Sequence, residues 1–447
     1  MKKVDKKVYV ETMGCQMNKS DTERILGMLS HFGYEETDKP READLLIINT
    51  CSIRQLSANK AYSAVGLWGK WKRAEKKKVN GKDLKIAFCG CVAQQDKEEL
   101  LKRFPFIDLV FGTNNIFQLP ELLDQINSGD RVCATSETPY VSENDFTIKR
   151  EGGFNAWIPI MEGCDNFCTY CIVPFTRGRE RSREMSKIIT EAKTALQNGY
   201  KEITLLGQNV DSYGKNSENK ITLADLLREL NKIEGKFRIR FVTSYPTDIS
   251  DDLIAAVKEC DKVCEYFHIP MQSGNSDILK AMNRRYNREE YGKIVKKIID
   301  TFENVTITSD FIAGFPGETQ EQFLDTLSAI DEFELDYSNT AAYSPREKTK
   351  AAKWIDKFID EDTKIQRLAH LNDKNKEACL KSNKKFVGKT LEILVESHED
   401  KNNKSILTGR ARNNKIVHFQ GDKKLVGTFS DVKIVSAKTW YLVGELF

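Results

Sequence analysis

The sequence predicts an α/β protein in three parts. These are a parallel, Rossmann-like α/β domain over 1–125, a partial (β/α) barrel over 154–382 and a small β-barrel over 383–447, with a linker over 126–153. Two observations carry this division. Short buried-strand runs alternate with amphipathic stretches through the first two parts, and the tail changes to short alternating runs separated by turn residues.

In the first part VYVET (8–12), ADLLIINT (43–50), LKIAFCG (84–90) and IDLVFG (107–112) read as buried strands. Between the first two, SDTERILGMLSHFG has apolar spacing of three and four, with Ser20 as N-cap and Gly33 as stop. The stretch SGDRVCATSETPYVSENDFTIKREGG has no sustained helical period and reads as a connector. Six strand runs follow, AWIPIME, EITLLGQN, RIRFVTS, EYFHIPM, VTITSDFIAG and SNTAAYS, with helices between them. That count suits an open barrel better than a second small Rossmann unit. A helical run over 350–383 closes it, and LEILVES, SILTGRA, IVHFQG, LVGTFSDVKIVSA and WYLVGEL form the small barrel.

No window reaches about eighteen uncharged apolar residues, and MKKVDKKVYV lacks an apolar h-region, so the expected class is neither membrane nor secreted but cytoplasmic. The net charge of +3 is unevenly placed. From Asn383 onward twelve Lys/Arg face seven Asp/Glu, a local +5 that leaves −2 for the preceding residues. A basic tail domain points to nucleic acid. Candidate phosphate contacts are the run GKWKRAEKKKVNGK (69–82), whose default reading is a solvated helix face, the cluster TRGRERSR (176–183), and Lys384, Lys385, Arg410, Arg412 and Lys415. Trp440, Tyr441, Phe419 and His418 are candidates for stacking on bases, with core packing as the alternative.

Eleven cysteines are many for a reducing compartment, and they cluster. Cys164, Cys168 and Cys171 fall in EGCDNFCTYCIVP, three thiols with no fourth nearby. Structural zinc prefers four ligands in paired motifs, and a redox motif needs two cysteines. A 4Fe-4S cluster takes four, so three leave one iron open to another ligand. In the first part Cys15, Cys51 and Cys91 each fall at the carboxyl end of a different predicted parallel strand, the edge where open sheets bind ligands. Cys89 competes with Cys91 but lies inside the apolar run and reads as core. Cys133, Cys260, Cys264 and Cys379 read as ordinary buried thiols.

TMGCQMNKSD, INTCSIR, GCVAQ, GCDNFCTYCIVPFTRGRERSR, LLGQNVDSYG, HIPMQSG, FIAGFPGET and GRARNNKIVHF occur in one order across the chain. Together they resemble the methylthiotransferase family of radical S-adenosylmethionine (SAM) enzymes. GCQMN and LLGQNV resemble the members that modify isopentenyladenosine in tRNA rather than those acting on threonylcarbamoyl-adenosine or a ribosomal-protein aspartate. The resemblance implies a methylthiotransferase domain, a radical SAM barrel and a TRAM domain. It implies two 4Fe-4S clusters, one on Cys164, Cys168 and Cys171 and an auxiliary one on Cys15, Cys51 and Cys91, and two SAM molecules per turnover. Gly207, Gln208, Asn209 and Gly314 are the implied SAM-side residues, and Tyr170 shields the cluster, touches adenine or packs the loop. The implied partners are a tRNA anticodon stem-loop carrying N6-isopentenyladenosine, an electron donor and a sulfur donor, for a monomeric enzyme. One departure stands out: AYSPREKTKAAKW has Lys348 and Lys350 where the family usually carries Gly and Pro, which puts the geometry around Arg346 in question. The rival from another class is a non-catalytic zinc protein that binds RNA.

Overall fold

The protein is described by a computed structural model that covers residues 6–52, 55–78, 81–137, 148–150, 152–216, 220–401 and 404–447. Ile53 and Arg54 of INTCSIR, Val79 and Asn80 of the basic run, and 138–147 and 151 of the connector lie outside the described residues. The chain forms two compact units. One comprises Met1–Gly152, Glu162–Asp165 and Ile172–Arg179, and the other Gly153–Met161, Asn166–Cys171 and Glu180–Phe447.

The first unit is built on a six-stranded parallel sheet. Its strands are β1 (Lys6–Met13), β2 (Tyr34–Glu36), β3 (Leu45–Thr50), β4 (Lys85–Gly90), β5 (Leu109–Phe111) and β6 (Val132–Ala134), in the order β2-β1-β3-β4-β5-β6. The long apolar runs of β3 and β4 follow from burial on both faces: Leu45, Ile47, Ala87 and Cys89 join one core, and Leu46, Ile48, Ile86 and Phe88 the other. Two strands escape the sequence reading. β2 is three residues after a helix, and β6 lies within the expected connector, pairing with β5. Neither is long enough to show a period. Lys72, part of the basic run expected on a solvated face, is 5% exposed and pairs with Asp108, whose carboxylate also accepts the Ile86 amide.

In the second unit six parallel strands follow the predicted order. Asn155–Pro159, Glu202–Leu206 and Arg238–Phe241 form one sheet, and Tyr266–His268, Thr306–Ala313 and Tyr337–Ala342 another, with a bridge between Ile239 and Val263 linking them. Alternate residues take opposite roles. Ile203, Leu205, Ile239, Phe241, Phe267, Ile307 and Phe311 enter the apolar core. The positions between them carry a buried polar chain: Asn155 donates to Glu202 at 3.2 Å, Arg240 holds Glu202 through two nitrogens at 3.1 and 2.9 Å, and Thr308 joins Tyr266 to His268.

The last five strands, Thr390–Lys401, Lys404–Ala411, Ile416–Gln420, Phe429–Ala437 and Leu442–Leu446, close into a barrel around Ile393, Val395, Leu407, Val417 and Phe419. This small barrel covers the amino ends of the parallel strands. Arg238, the largest fully buried side chain, opens its strand and donates to the Arg410 and Glu392 carbonyls at 2.7 Å each, while Arg240 reaches the Arg412 carbonyl at 2.8 Å. In return Arg412 grips Glu265 and the Val263 carbonyl, and Lys415 reaches Asp336 and Ser382.

Burial pushes Glu202 up, but the charge and hydrogen bonds of Arg240 outweigh it and hold the carboxyl below its usual range. Its contribution is therefore complete above the ordinary Glu value of about 4.3 and is lost as pH falls through the lower folded value. Arg240→Met leaves Glu202 buried and unpaired and is expected to cost about 3–5 kcal/mol at pH 7. With Arg240 gone, burial opposes only the remaining charges of Arg238 and Arg410 and raises the Glu202 pKa relative to the parent, so this deficit should shrink on acidification toward pH 5, measured by denaturant unfolding at each pH.

Candidate active site

Cys15, Cys51 and Cys91 come together at the carboxyl ends of β1, β3 and β4, three adjacent strands. Cys15 caps helix α1 (Gln16–His31), Cys51 follows β3 with its amide donating to Met13 at 3.0 Å, and Cys91 opens the next helix, Cys91–Asp96. The approach is close enough to require glycine before two of them. A Cβ at Gly14 would stand 2.9 Å from the Cys51 Cβ, and Gly90 has φ +91° with the Thr50 carbonyl 2.4 Å from where its Cβ would lie. Cys89 stays in the core at 1% exposure, and burial pushes its thiol well up.

The three thiols form a row with Cys51 hydrogen-bonded to both neighbours. Hydrogen bonding to Cys51 lowers Cys15 to about 6 and Cys91 to about 7, against the effect of burial and with the Arg177 charge assisting. The same bonds raise Cys51. Asn18 orients Cys15, its Oδ1 facing the Cys15 amide and thiol at 3.3 and 3.4 Å while its Nδ2 donates to Asn49 at 3.0 Å. Among the described residues no group of three His, Cys, Asp or Glu side chains is placed to hold a single metal ion. A 4Fe-4S cluster bonds each thiolate to a different iron, and three thiols gathered at adjacent strand ends fit such a cluster with one iron left for another ligand.

The Cys-x3-Cys-x2-Cys loop is divided between the two units. Cys164 belongs to the first, where its amide donates to the Gly178 carbonyl at 3.2 Å. Cys168 and Cys171 belong to the second, joined by a turn in which the Cys171 amide donates to the Cys168 carbonyl. Thr169 is pinned at three points: its amide to the Met282 carbonyl, its hydroxyl to the Ala281 carbonyl, and its carbonyl to the Ala351 amide. Tyr170 packs edge-on against Phe315 at 6.5 Å. Arg284, which the sequence reading did not single out, donates Nη1 to the Cys168 sulfur at 3.5 Å and lies over Tyr245 and Tyr286. Its place in NRRYNR gives no sequence signal, because neighbouring arginines there point elsewhere: Arg288 pairs with Glu332.

Of the other expected residues, Gly207, Gln208 and Asn209 follow the strand Glu202–Leu206. Asn209 is buried, donates to Asp248 at 2.7 Å, and has an Oδ1 without a partner. Gly314 has φ +70°, and its amide is taken by Glu318, which Arg367 also holds. The departure at Lys348 has a clear form: its φ is +72°, a conformation that suits the glycine usual in the family, yet the turn still forms, with Thr349 bonded to the Arg346 carbonyl. The expected RNA contacts in the tail need correction. Arg412 and Lys415 are committed to Glu265 and Asp336, and Arg410 to Glu396 and Asn414. Phe419 is core, whereas Lys384 and Trp440 are exposed.

Asp211, within LLGQNVDSYG, accepts from Ser244 and the Tyr245 amide, and burial pushes it up to about 8. A raised pKa gives stability that is present below the unfolded value and lost as pH rises through the folded one. Asp211→Asn, which mimics the protonated form, is expected to be near neutral at or below about pH 4 and increasingly stabilising as pH rises toward about 8, as read from thermal unfolding across that range.

Comparison with known proteins agrees with this geometry. Residues 7–112 match the uncharacterized protein family UPF0004, 158–330 the radical SAM superfamily and 384–447 the TRAM domain. A tRNA-2-methylthio-N(6)-dimethylallyladenosine synthase of Clostridium perfringens is 47% identical, covering 99% of this chain and 98% of the relative. One of Alkaliphilus oremlandii is 48% identical, covering 99% and 93%. Among solved structures, the radical SAM methyltransferase TsrM of Kitasatospora setae superposes with a TM-score of 0.57 at 14% identity over 78% of this chain and 77% of its own, a likeness of fold. With near-complete coverage by relatives this similar, the chain belongs to the tRNA-2-methylthio-N(6)-dimethylallyladenosine synthase family of radical SAM enzymes.

Proposed function

We propose that the chain replaces the C2 hydrogen of N6-isopentenyladenosine, next to the anticodon of tRNA, with a methylthio group. The observation that carries this reading is the row of Cys15, Cys51 and Cys91 at adjacent strand ends, in a chain that also has the Cys164, Cys168 and Cys171 loop. Each set offers three thiolates, one fewer than a 4Fe-4S cluster takes. In this reading the loop holds the cluster that binds SAM, and the strand-end row holds an auxiliary cluster. Bound there with two SAM molecules per turnover, these groups supply a 5′-deoxyadenosyl radical, a methyl group and the sulfur that replaces hydrogen.

The chain's own residues hold and orient. No side-chain base at neutral pH removes an aromatic C–H proton, so acid–base residues are not needed for that step. Arg284 supplies positive charge to Cys168, and the pins on Thr169 fix the spacing between Cys168 and Cys171. The open Oδ1 of Asn209 offers an acceptor for the SAM ammonium group, Gly207 and Gln208 line the same edge, and Gly314 and Tyr170 shape the adenine side. The anticodon stem-loop, an electron donor and a sulfur donor are the partners of a monomer working in the cytoplasm, where thiols stay reduced. Among the described residues no helix is long and apolar enough to cross a membrane.

Mass spectrometry of tRNA nucleosides from a deletion strain should show isopentenyladenosine without its methylthio group; unchanged methylthio content refutes the substrate. Anaerobic reconstitution should give about eight iron and eight sulfide per chain, and four-coordinate zinc would instead support the non-catalytic rival. Cys91→Ala should lose about half of that iron and all methylthiolation while SAM cleavage survives. Cys89→Ala should keep both, and the reverse pattern overturns the ligand assignment.

A further inference from the structure

Arg177 sits in the first unit, directly after the short helix Val173–Thr176, at 3% exposure. Its Nη2 donates to Asp21 Oδ2 at 2.6 Å, and Asp21, on α1, is itself 1% exposed. The other terminal nitrogen, Nη1, is buried and has no hydrogen-bond partner. A guanidinium N–H left unpaired in an interior is costly, and such a group in a native protein calls for an explanation. The ion pair with Asp21 explains the burial of the charge but not the spare donor.

The neighbours of that donor supply the explanation. The Arg177 charge acts on Cys15 and on Cys91, and Glu162 also faces it. The guanidinium is thus the cation beside a row of thiols, and it is held by a carboxylate on the helix that Cys15 caps. Three thiolates in a buried site are stable only with compensating charge and hydrogen-bond donors.

We propose that Arg177 is a positioning residue of the auxiliary site: Asp21 holds its guanidinium in place, and its free Nη1 donates to anionic sulfur bound at Cys15, Cys51 and Cys91. This rests on the assignment of those cysteines as cluster ligands. Donors and positive charge beside cluster sulfur favour the reduced, more negative state, so Arg177 raises the reduction potential of the auxiliary cluster. Asp21 acts in the opposite sense by neutralising part of that charge.

The two signs give the test. The full chain carrying Cys164→Ala, Cys168→Ala and Cys171→Ala is reconstituted anaerobically, so that only the auxiliary cluster is present, and its midpoint potential is read by EPR-monitored titration. Arg177→Met should move the potential down, Asp21→Asn should move it up, and Arg177→Lys should restore most of the loss. If Arg177→Met does not fold, the double variant D21N/R177M, which leaves no lone buried charge, must lie below Asp21→Asn. A cluster that assembles in the parent but shows equal potentials, or shifts of one sign in both single variants, overturns the role of Arg177 alone. A parent that assembles no cluster overturns the ligand assignment and the role together.

Discussion

Parallel pairing of strands sends every carboxyl end to the same edge of a sheet, and the chemistry of this chain depends on that constraint. In the first unit β1, β3 and β4 are neighbours, so one or two residues beyond each strand are enough to bring Cys15, Cys51 and Cys91 into hydrogen-bond reach across separations of tens of residues. No long-range loop is needed to assemble the row. In the second unit the same constraint puts Gly207, Gln208 and Asn209 beyond one strand and Gly314 beyond another. The opposite ends of those strands are left free for a different purpose, and the small barrel occupies them.

Charge is handled differently at the two kinds of edge. At the amino ends, Arg238 and Arg240 spend their terminal nitrogens on carbonyls and carboxylates of the small barrel and the neighbouring strand. At the carboxyl ends two buried groups keep an atom without a partner, Arg177 Nη1 in the first unit and Asn209 Oδ1 in the second. Satisfied buried polar groups fix a structure, whereas a buried group without a partner calls for an explanation of its own.

Much of the fold, and the convergence of Cys15, Cys51 and Cys91, was legible in the sequence, because strand runs have a period and thiols at strand ends have a position. Partner choice was not. Arg412 and Lys415 read as phosphate contacts, and Lys72 as a solvated face, because a cation in sequence does not reveal the carboxylate it will meet. Asp21 and Arg177 are 156 residues apart, so their pairing has no local trace. β6 was missed since three residues cannot display alternation. Lys348 shows the reverse case: a departure visible in the sequence proves tolerable, because a single residue with positive φ costs only about 1–2 kcal/mol.

The seam at the amino ends has a mechanical consequence. Arg238, Arg240, Arg412 and Lys415 join the small barrel to the parallel strands through charge-assisted bonds at several separate points, so the two make one compact unit. A nucleic acid gripped by the small barrel would therefore have the length of the parallel strands to span before reaching their carboxyl ends, the side of the same unit on which Gly207, Gln208, Asn209 and Gly314 lie.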